Sequence, residues 1–220
     1  MKETGKQYMS ELKEMLDTLD MTQVEQLVNL IKDAYKNDKQ IFIIGNGGSA
    51  SAASHMACDI GKNTGIIGKQ RMRVVSLTDN MATFSAVAND CGYDAVFKEQ
   101  LAMFLNPGDL VIGISGSGNS PNVINAMKYA NEKGAITAAI VAFTGGGMKE
   151  EADHHVMIKT GDYGVAEDAH LILNHMIVRH LQKDMAFEHK LEQQAKGLSG
   201  ELQRVAVGPQ GVEKTSGVKK

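Results

Sequence analysis

The sequence predicts an α/β fold: a three-layer, doubly wound sheet of five parallel strands, preceded by an N-terminal helical arm. Five short apolar runs, rich in β-branched residues, alternate with longer segments of helical periodicity, as in a parallel sheet with helices on both faces. The middle runs are apolar throughout, as expected of strands that are buried on both faces. A chain of 220 residues is long enough for one such domain with its own core.

The first predicted element is the N-terminal arm, residues 1–38, made of two amphipathic helices. Apolar side chains recur at helical spacing from Met9 to Leu19 and again from Val24 to Tyr35. Asp20 or Thr22 is expected to cap the second helix. The apolar faces of the arm are expected to pack on the domain, or on another subunit.

The α/β domain, residues 39–183, follows the arm. Its predicted strands are QIFIIG (40–45), MRVVSL (72–77), LVIGIS (110–115), ITAAIVAF (136–143) and HVMIK (155–159). Its predicted helices cover residues 49–62, 80–104 with a break near Cys91-Gly92, 120–133 and 165–183. Residues 184–220 form a C-terminal extension with mixed charges and several glycines, which we expect to be flexible after about residue 197.

Composition argues against several classes of protein. The net charge of −3 gives no whole-chain basis for binding nucleic acid or an anionic membrane. No apolar run approaches the roughly 20 residues of a membrane helix, and the N-terminus has no secretory signal pattern. Cys58 and Cys91 form no disulfide framework, so a cytoplasmic location is expected.

Two glycine-rich loops each follow a predicted strand and open a helix. In the first loop, Gly45, Gly47 and Ala50 satisfy the loose dinucleotide pattern G-x-G-x-x-G/A. Asp79, after the next strand, could serve as the ribose-binding acid, but it lies about ten residues too far along the chain. The first loop alone therefore leaves open a nucleotide loop, another phosphate loop and a simple tight turn.

The second loop, GISGSGNSP at 113–121, favours a phosphate. Three serines and two glycines lie close together, and Asn119 or Ser120, followed by Pro121, is expected to start the next helix. A helix N-terminus surrounded by hydroxyl and free N–H groups binds a phosphate monoester, whereas the alternative is a capped turn with serines for solubility. This loop argues against a nucleotide cofactor.

Histidines and carboxylates recur on two predicted helices. His55 and Asp59 are four residues apart and share one helix face, which suits a metal or an acid–base pair. On the last helix, Glu167 and His175 are about 80° apart around the axis and about 12 Å apart along it. On spacing alone, a polar stripe on the first helix and semi-buried core residues on the last remain open as explanations.

Together, the motifs GNGGSAS, SLTDN with AVANDCGYDAVF, and GISGSGNSPNVINA resemble the sugar isomerase (SIS) domain, and more narrowly the bacterial phosphoheptose isomerases, over about residues 5–183. The resemblance implies the five-stranded fold and a homotetramer with active sites at subunit interfaces. It also implies an aldose–ketose isomerase of heptose or lipopolysaccharide biosynthesis, converting sedoheptulose 7-phosphate to a manno-heptose 7-phosphate. In that reaction an enediol forms, with Asp59 as the base and His175 as the acid.

The resemblance also assigns site residues by position. The residues that would hold the phosphate are Ser115, Gly116, Ser117 and Ser120. The further residues that would bind the substrate are Asn46, Gly47, Ser49, Asp79 and Glu167, with Asn46 and Ser49 on the sugar or its phosphate. In family members with metal bound, four positions ligate zinc, and the residues at these positions are here His55, Asp59, Glu167 and His175. Zinc is therefore the expected cofactor.

This chain departs from the family pattern around those positions. Asp59 stands where the family has glutamate, and Glu167 stands where it has glutamine. A shorter base and an added charge could signal a related but different substrate. An arginine that the family keeps shortly after its glutamate is missing. The candidates for its role are Lys62, Arg71 and Arg73. The loop at 162–164 also looks shorter than in the family.

The alternative function is that of a non-catalytic SIS protein, which senses phosphosugars or binds a protein partner such as a replication initiator. The relative that binds the initiator resembles the isomerases but lacks the catalytic histidine, so the presence of His175 favours the enzyme. A nucleotide-binding oxidoreductase is the remaining alternative, and the serine loop argues against it.

Overall fold

The computed structural model describes residues 1–65 and 69–206. The chain divides into two compact units, Met1–Gln182 and Lys183–Lys220, and the whole sheet and every predicted site residue belong to the first. Residues 207–220, which make up much of the predicted flexible tail, lie outside the described residues. None of the described helices is both long enough and apolar enough to cross a membrane.

The elements alternate as the sequence predicts. The arm consists of α1 (Lys2–Asp17) and α2 (Met21–Lys36). The strands are β1 (Gln40–Gly45), β2 (Arg73–Ser76), β3 (Leu110–Ser115), β4 (Ile136–Ala142) and β5 (His154–Ile158). The helices of the domain are α3 (Gly48–Asn63), α4 (Met81–Cys91), α5 (Val96–Phe104), α6 (Pro121–Glu132), α7 (Gly146–Glu151) and α8 (Tyr163–Ala206).

Local signals explain most of the element boundaries. Asp20 is the N-cap of α2 and accepts a hydrogen bond from the N–H of Thr22 at 2.9 Å. The predicted break after Cys91 is confirmed, because Gly92 adopts a φ of 89° that ends α4. The last helix is longer than predicted, since α8 continues to Ala206 instead of ending near residue 183.

The five strands form one parallel sheet in the order β2-β1-β3-β4-β5, which confirms the predicted doubly wound fold. All six residues of the central strand β3 are buried, in agreement with its uninterrupted apolar sequence. One face of the sheet packs on α4 to α7 through a core that includes Phe42, Val111 and Met127. The opposite face carries α2 and α3.

The order of the strands positions the functional site. The chain leaves β1 toward β2 on one side and later returns through β3 on the other side. The carboxyl ends of β1 and β3 therefore lie side by side, with Gly45 paired to Ile114. In open parallel sheets, ligands bind in the crevice at this switch point. Both glycine-rich loops begin there.

Candidate active site

The first loop makes a tight connection from β1 to α3. Gly47 is the N-cap of α3 with a φ of 55°, a conformation that side chains rarely adopt. Gly45 is packed against backbone, because a Cβ there would stand 2.7 Å from the carbonyl oxygen of Ser49. The glycines thus bring the start of α3 close to the edge of the sheet, where its N–H groups can face a ligand.

Asn46 connects the two loops. Its Nδ2 donates to Oδ1 of Asn122 at 2.8 Å, and Nδ2 of Asn122 donates back to Oδ1 of Asn46 at 3.0 Å. The hydroxyl of Tyr93 donates to the same Oδ1 at 2.9 Å. Asn122 is nearly fully buried in the first turn of α6, so this pair of amides fixes the β1 loop to the serine loop.

The serine loop runs from the end of β3 into α6. Ser115 is buried and its Oγ accepts from the N–H of Gly118 at 3.1 Å, while Oγ of Ser117 accepts from the N–H of Asn119 at 3.2 Å. Ser120 is the N-cap of α6 and Pro121 its first residue, as predicted. Gly118, with a φ of 67°, passes so close to Gly145 that the loop is braced by the start of α7.

Three predicted residues from two helices meet beside these loops. Nε2 of His55 lies 3.1 Å from Oδ2 of Asp59, and Nε2 of His175 lies 3.8 Å from the same oxygen. The two Nε2 atoms are 3.4 Å apart, and the rings are in edge contact with centroids 5.1 Å apart. The pair on α3 and the histidine on α8 therefore form one cluster, although 120 residues separate His55 from His175.

The donor set of this cluster fits a divalent metal. Its three ligand atoms, two imidazole nitrogens and one carboxylate oxygen, lie within 4.8 Å of one another. Zinc bonds of about 2.0–2.1 Å in tetrahedral geometry separate neighbouring ligand atoms by about 3.3 Å, close to the separations seen here. A site with three protein ligands keeps a position open for water or substrate.

Asp59 is held by two amides in addition to the histidines. Nδ2 of Asn63 donates to Oδ1 at 3.0 Å, and Nδ2 of Asn174 donates to Oδ2 at 3.1 Å. The side chain of Asp59 is 15% exposed, whereas those of His55 and His175 are 42% and 59% exposed. The carboxylate is thus largely enclosed and the two imidazoles face outward.

Glu167 lies apart from this cluster. Its carboxylate packs on the first residue of α3, since a Cβ on Gly48 would stand 2.2 Å from Oε1. An anion at a helix N-terminus is favoured by the N–H groups and the helix dipole. The carboxylate of Glu167 does not belong to the group of ligand atoms around Asp59 in the described chain, so its role as a ligand of the same ion stays a prediction.

Asp79 and Ser49 have surroundings of their own. The carboxylate of Asp79 accepts a hydrogen bond from the hydroxyl of Ser54 on α3. Asp79 and Ser54 line a cavity of about 600 Å³ beside β2, together with Asn80 and Thr83. Ser49 is only 6% exposed in the first turn of α3. Contact of Asp79 or Ser49 with a sugar remains a prediction.

The arginine candidates lie elsewhere. Arg73 pairs with Asp38 at 3.6 Å, at the amino end of the sheet and so away from the loops. The guanidinium of Arg71 donates to the carbonyl oxygen of Lys62 at 3.1 Å, beyond the end of the site on α3. The polar group that contacts Asp59 from this part of α3 is the amide of Asn63.

Tyr8 and His170 have shifted pKa values. The hydroxyl of Tyr8 in α1 donates to Asp168 at 2.7 Å, and this hydrogen bond raises the pKa of Tyr8 to about 12. His170 is 2% exposed, and burial lowers its pKa to about 4. The neutral imidazole of His170 therefore belongs to the core, as one of the sequence interpretations of α8 had it.

Sequence reasoning missed several residues of the site. Asn63, Asn122 and Asn174 are asparagines on helices, a residue type that is usually an unremarkable polar position there. Tyr163, the first residue of α8, lies over Gly116, whose added Cβ would be 3.1 Å from the ring. Tyr93, in the motif AVANDCGYDAVF, donates to Asn46, a contact that the resemblance of the motif does not reveal. A three-dimensional arrangement was needed to find all five.

Comparisons with known proteins identify the family of the chain. A model of the SIS domain matches residues 7–142. The phosphoheptose isomerase of Chlorobaculum parvum is 30% identical over 182 residues, which cover 82% of this chain and 87% of the relative. That of Sulfurimonas denitrificans is 35% identical over 167 residues, which cover 75% of this chain and 84% of the relative.

Solved structures are similar over the same region. A phosphoheptose isomerase from Neisseria gonorrhoeae matches with a TM-score of 0.74 and 28% identity, covering 83% of this chain and 98% of that one. A phosphoheptose isomerase from Francisella tularensis matches with a TM-score of 0.76 at 20% identity, covering 83% and 97%. At that lower identity the second match supports the fold alone.

Proposed function

The chain belongs to the SIS domain family, in its phosphoheptose isomerase branch, and is a phosphosugar isomerase; we propose that it converts sedoheptulose 7-phosphate to a manno-heptose 7-phosphate. The observation that carries the proposal is the cluster at Asp59. An enclosed carboxylate flanked by two imidazoles, on the helix that the first glycine-rich loop opens, supplies a base and an acid for proton transfer on a sugar phosphate.

Asp59 is the proposed base. Its carboxylate takes the proton from C1 of the ketose, and the electron pair of that C–H bond moves into a new C1–C2 double bond. His175 donates a proton to the C2 oxygen, which gives the enediol. His175, now neutral, takes the proton from the C1 oxygen as C1 becomes the carbonyl, and Asp59 returns its proton to C2, which gives the aldose and restores both groups. The protons balance over the cycle, so no co-reactant is consumed.

Zinc is the proposed cofactor, and His55, Asp59 and His175 would hold it, with Glu167 as a fourth ligand or as a sugar contact. His175 would then bind the ion through one ring nitrogen and exchange protons through the other, and Asp59 would bind through one oxygen and accept the substrate proton on the other. When bound, such an ion stabilises the negative charge that develops on the two substrate oxygens. His55 points its Nε2 at the same oxygen of Asp59 as His175 does, so it also orients the carboxylate without a metal. The donor set, two imidazoles and one carboxylate, supports this choice of ion.

The serine loop is the proposed phosphate site. The hydroxyls of Ser115, Ser117 and Ser120 and the backbone of Gly116 would hold the phosphate at the N-terminus of α6. Braces from Asn119 and Gly118 to α7 support the loop, so that its groups are preorganised for the ligand. The remaining proposed contacts to the substrate are Asn46, Gly47, Ser49, Asp79 and Glu167.

The protein is proposed to act as a cytoplasmic homotetramer whose active sites combine residues of neighbouring subunits. Supporting this, Glu167 contacts Gly48 of its own chain and is separate from the Asp59 cluster, so one chain does not bring all four proposed ligands together. A second copy of the chain could supply the missing carboxylate.

The test is an isomerase assay with sedoheptulose 7-phosphate, on metal-free protein with and without added zinc. We expect turnover in the wild type, and a loss of at least about 100-fold in kcat for Asp59→Asn and His175→Ala, because each removes one partner of the proton transfer. Asp33→Asn, an exposed carboxylate on α2, is the matched control and should keep full activity. Wild-type protein that binds phosphosugars without converting any of a panel of ketose phosphates would contradict the proposal and favour a sensor.

A further inference from the structure

Asn174 and Asn63 hold opposite oxygens of the Asp59 carboxylate. Asn174 lies next to His175 on α8 and donates to Oδ2 at 3.1 Å. Asn63 lies one turn after Asp59 on α3 and donates to Oδ1 at 3.0 Å. The imidazoles of His55 and His175 face Oδ2, with their Nε2 atoms at 3.1 and 3.8 Å. The two oxygens of the carboxylate are therefore in different environments.

Asn174 is an unfavourable residue at its position for the stability of the fold. It is 2% exposed in a stretch of α8 where Leu173 and Ile177 belong to the core. Its Oδ1 is buried and has no hydrogen-bond partner among the described residues. Burying a half-satisfied amide disfavours the folded state, so a leucine here would serve the fold at least as well. Its Nδ2 donates to Asp59, a residue of the site, and not to the apolar core around it.

Asn174 reaches Asp59 from another helix, and this gives it a function that Asn63 does not have. Asn63 is exposed and belongs to the same helix as Asp59, so it follows any movement of α3. Asn174 reaches Asp59 from α8, the helix that carries His175. A hydrogen bond from that side fixes the carboxylate relative to His175 and thereby ties the two helices together at the site.

We propose that Asn174 is a positioning residue, whose amide fixes the Asp59 carboxylate so that Oδ2 faces the two imidazoles and Oδ1 remains the oxygen for the substrate proton. This inference rests on the proposed function and names a residue that the reaction depends on without touching the substrate. Hydrogen bonds to a ligating or catalytic carboxylate set its orientation, and a displacement of about 1 Å at such a group can cost about 100-fold in rate.

The test compares Asn174→Leu with Asn131→Leu. Asn131 is a half-buried amide at the end of α6 that bonds to Thr137 and Glu151, at the amino end of the sheet. We expect Asn174→Leu to unfold at the same urea concentration as the wild type or higher, with kcat reduced about 10- to 100-fold and KM changed less than about threefold. Asn131→Leu should unfold at lower urea and keep its kcat.

Two readouts do not depend on turnover. Affinity for cobalt(II), followed by its visible absorption, should fall about tenfold or more in Asn174→Leu and stay unchanged in Asn131→Leu. In metal-free protein, the side-chain amide resonance of Asn174 in a ¹⁵N spectrum should shift when Asp59 is replaced by asparagine, while that of Asn131 should not.

Each outcome decides the role of Asn174. Asn174→Leu with wild-type kcat and cobalt affinity would overturn the proposal, and so would losses that merely follow a fall in stability. An Asn174 amide resonance that does not shift when Asp59 is replaced by asparagine would overturn the proposal as well. If the wild type fails to isomerise sedoheptulose 7-phosphate, the proposed function fails, but the cobalt titration and the amide resonance still test Asn174.

Discussion

Asp59 is the residue at which the contacts of the site converge. It accepts from two amides and lies within 4 Å of two imidazoles, and each of the four neighbours is anchored on α3 or α8. The side chain of aspartate is short, so its carboxylate lies close to α3, and Asn174 reaches it from α8.

At the phosphate, Ser117→Ala should weaken substrate binding more than turnover. A hydrogen bond to a charged group contributes about 1.5–3 kcal/mol, so KM for the sugar phosphate should rise about 10- to 100-fold. Ser85→Ala, which removes an exposed hydroxyl on α4, is the control. Steady-state kinetics, with inorganic phosphate as a competitor, would measure the effect. An unchanged KM in Ser117→Ala would remove this hydroxyl from the phosphate site.

The sequence could predict part of the site at this scale. Helical spacing placed His55 and Asp59 on one face, and the structure has them in contact. Spacing could not bring His175 to them, because the approach of α3 and α8 is a tertiary event; the resemblance supplied that pairing. Asn63 and Asn174 were missed because an asparagine becomes informative only when its partner across the helices is known.

At the scale of elements, Gly118 should be indispensable to the serine loop. Its φ of 67° disfavours any side chain, and a Cβ would stand 1.9 Å from the carbonyl oxygen of Gly145. Gly118→Ala should therefore lower the free energy of unfolding by about 2 kcal/mol or more. Urea unfolding is the measurement.

The control for that change is Gly5→Ala. A Cβ on Gly5 would meet nothing within 4 Å, and the residue lies in the helix α1, where alanine is favoured over glycine by up to about 1 kcal/mol. It should be neutral or stabilising. Equal effects of the two substitutions would mean that the close approach of Gly118 to α7 does not persist in solution.

Elements with a strong periodic signal were predictable, and those without one were not. β1 and β3 coincide with their apolar runs, since burial on both faces leaves little ambiguity in the sequence. α7 was missed, because six residues that begin with two glycines carry no helical periodicity. It braces the serine loop through tertiary contacts, which cannot be predicted from a local sequence pattern.

At the scale of the molecule, His170 should make the fold sensitive to acid. Burial lowers its pKa from the usual 6.5 to about 4, so the unfolded chain binds a proton that the folded chain does not. The neutral imidazole therefore stabilises the fold fully above pH 6.5, and this contribution is lost as pH falls toward 4. Between pH 7 and 4, wild type should lose about 3 kcal/mol relative to His170→Leu. Urea unfolding across this range tests it, and a pH-independent difference would contradict it.

The separation of Glu167 from the Asp59 cluster leads to a prediction about the assembly. If each active site combines the cluster of one subunit with Glu167 of another, Asp59→Asn and Glu167→Lys disable different halves of the same site. Each variant alone should be inactive, the first without its base and the second without the carboxylate that it would supply to the site of the neighbouring subunit. When they are unfolded together at equal amounts and refolded, about a quarter of the sites should combine two intact halves, so about a quarter of wild-type activity should return. Light scattering would establish that the mixed protein is an oligomer. Mixed oligomers that stay inactive, although both variants fold, would mean that each chain builds its site from its own residues.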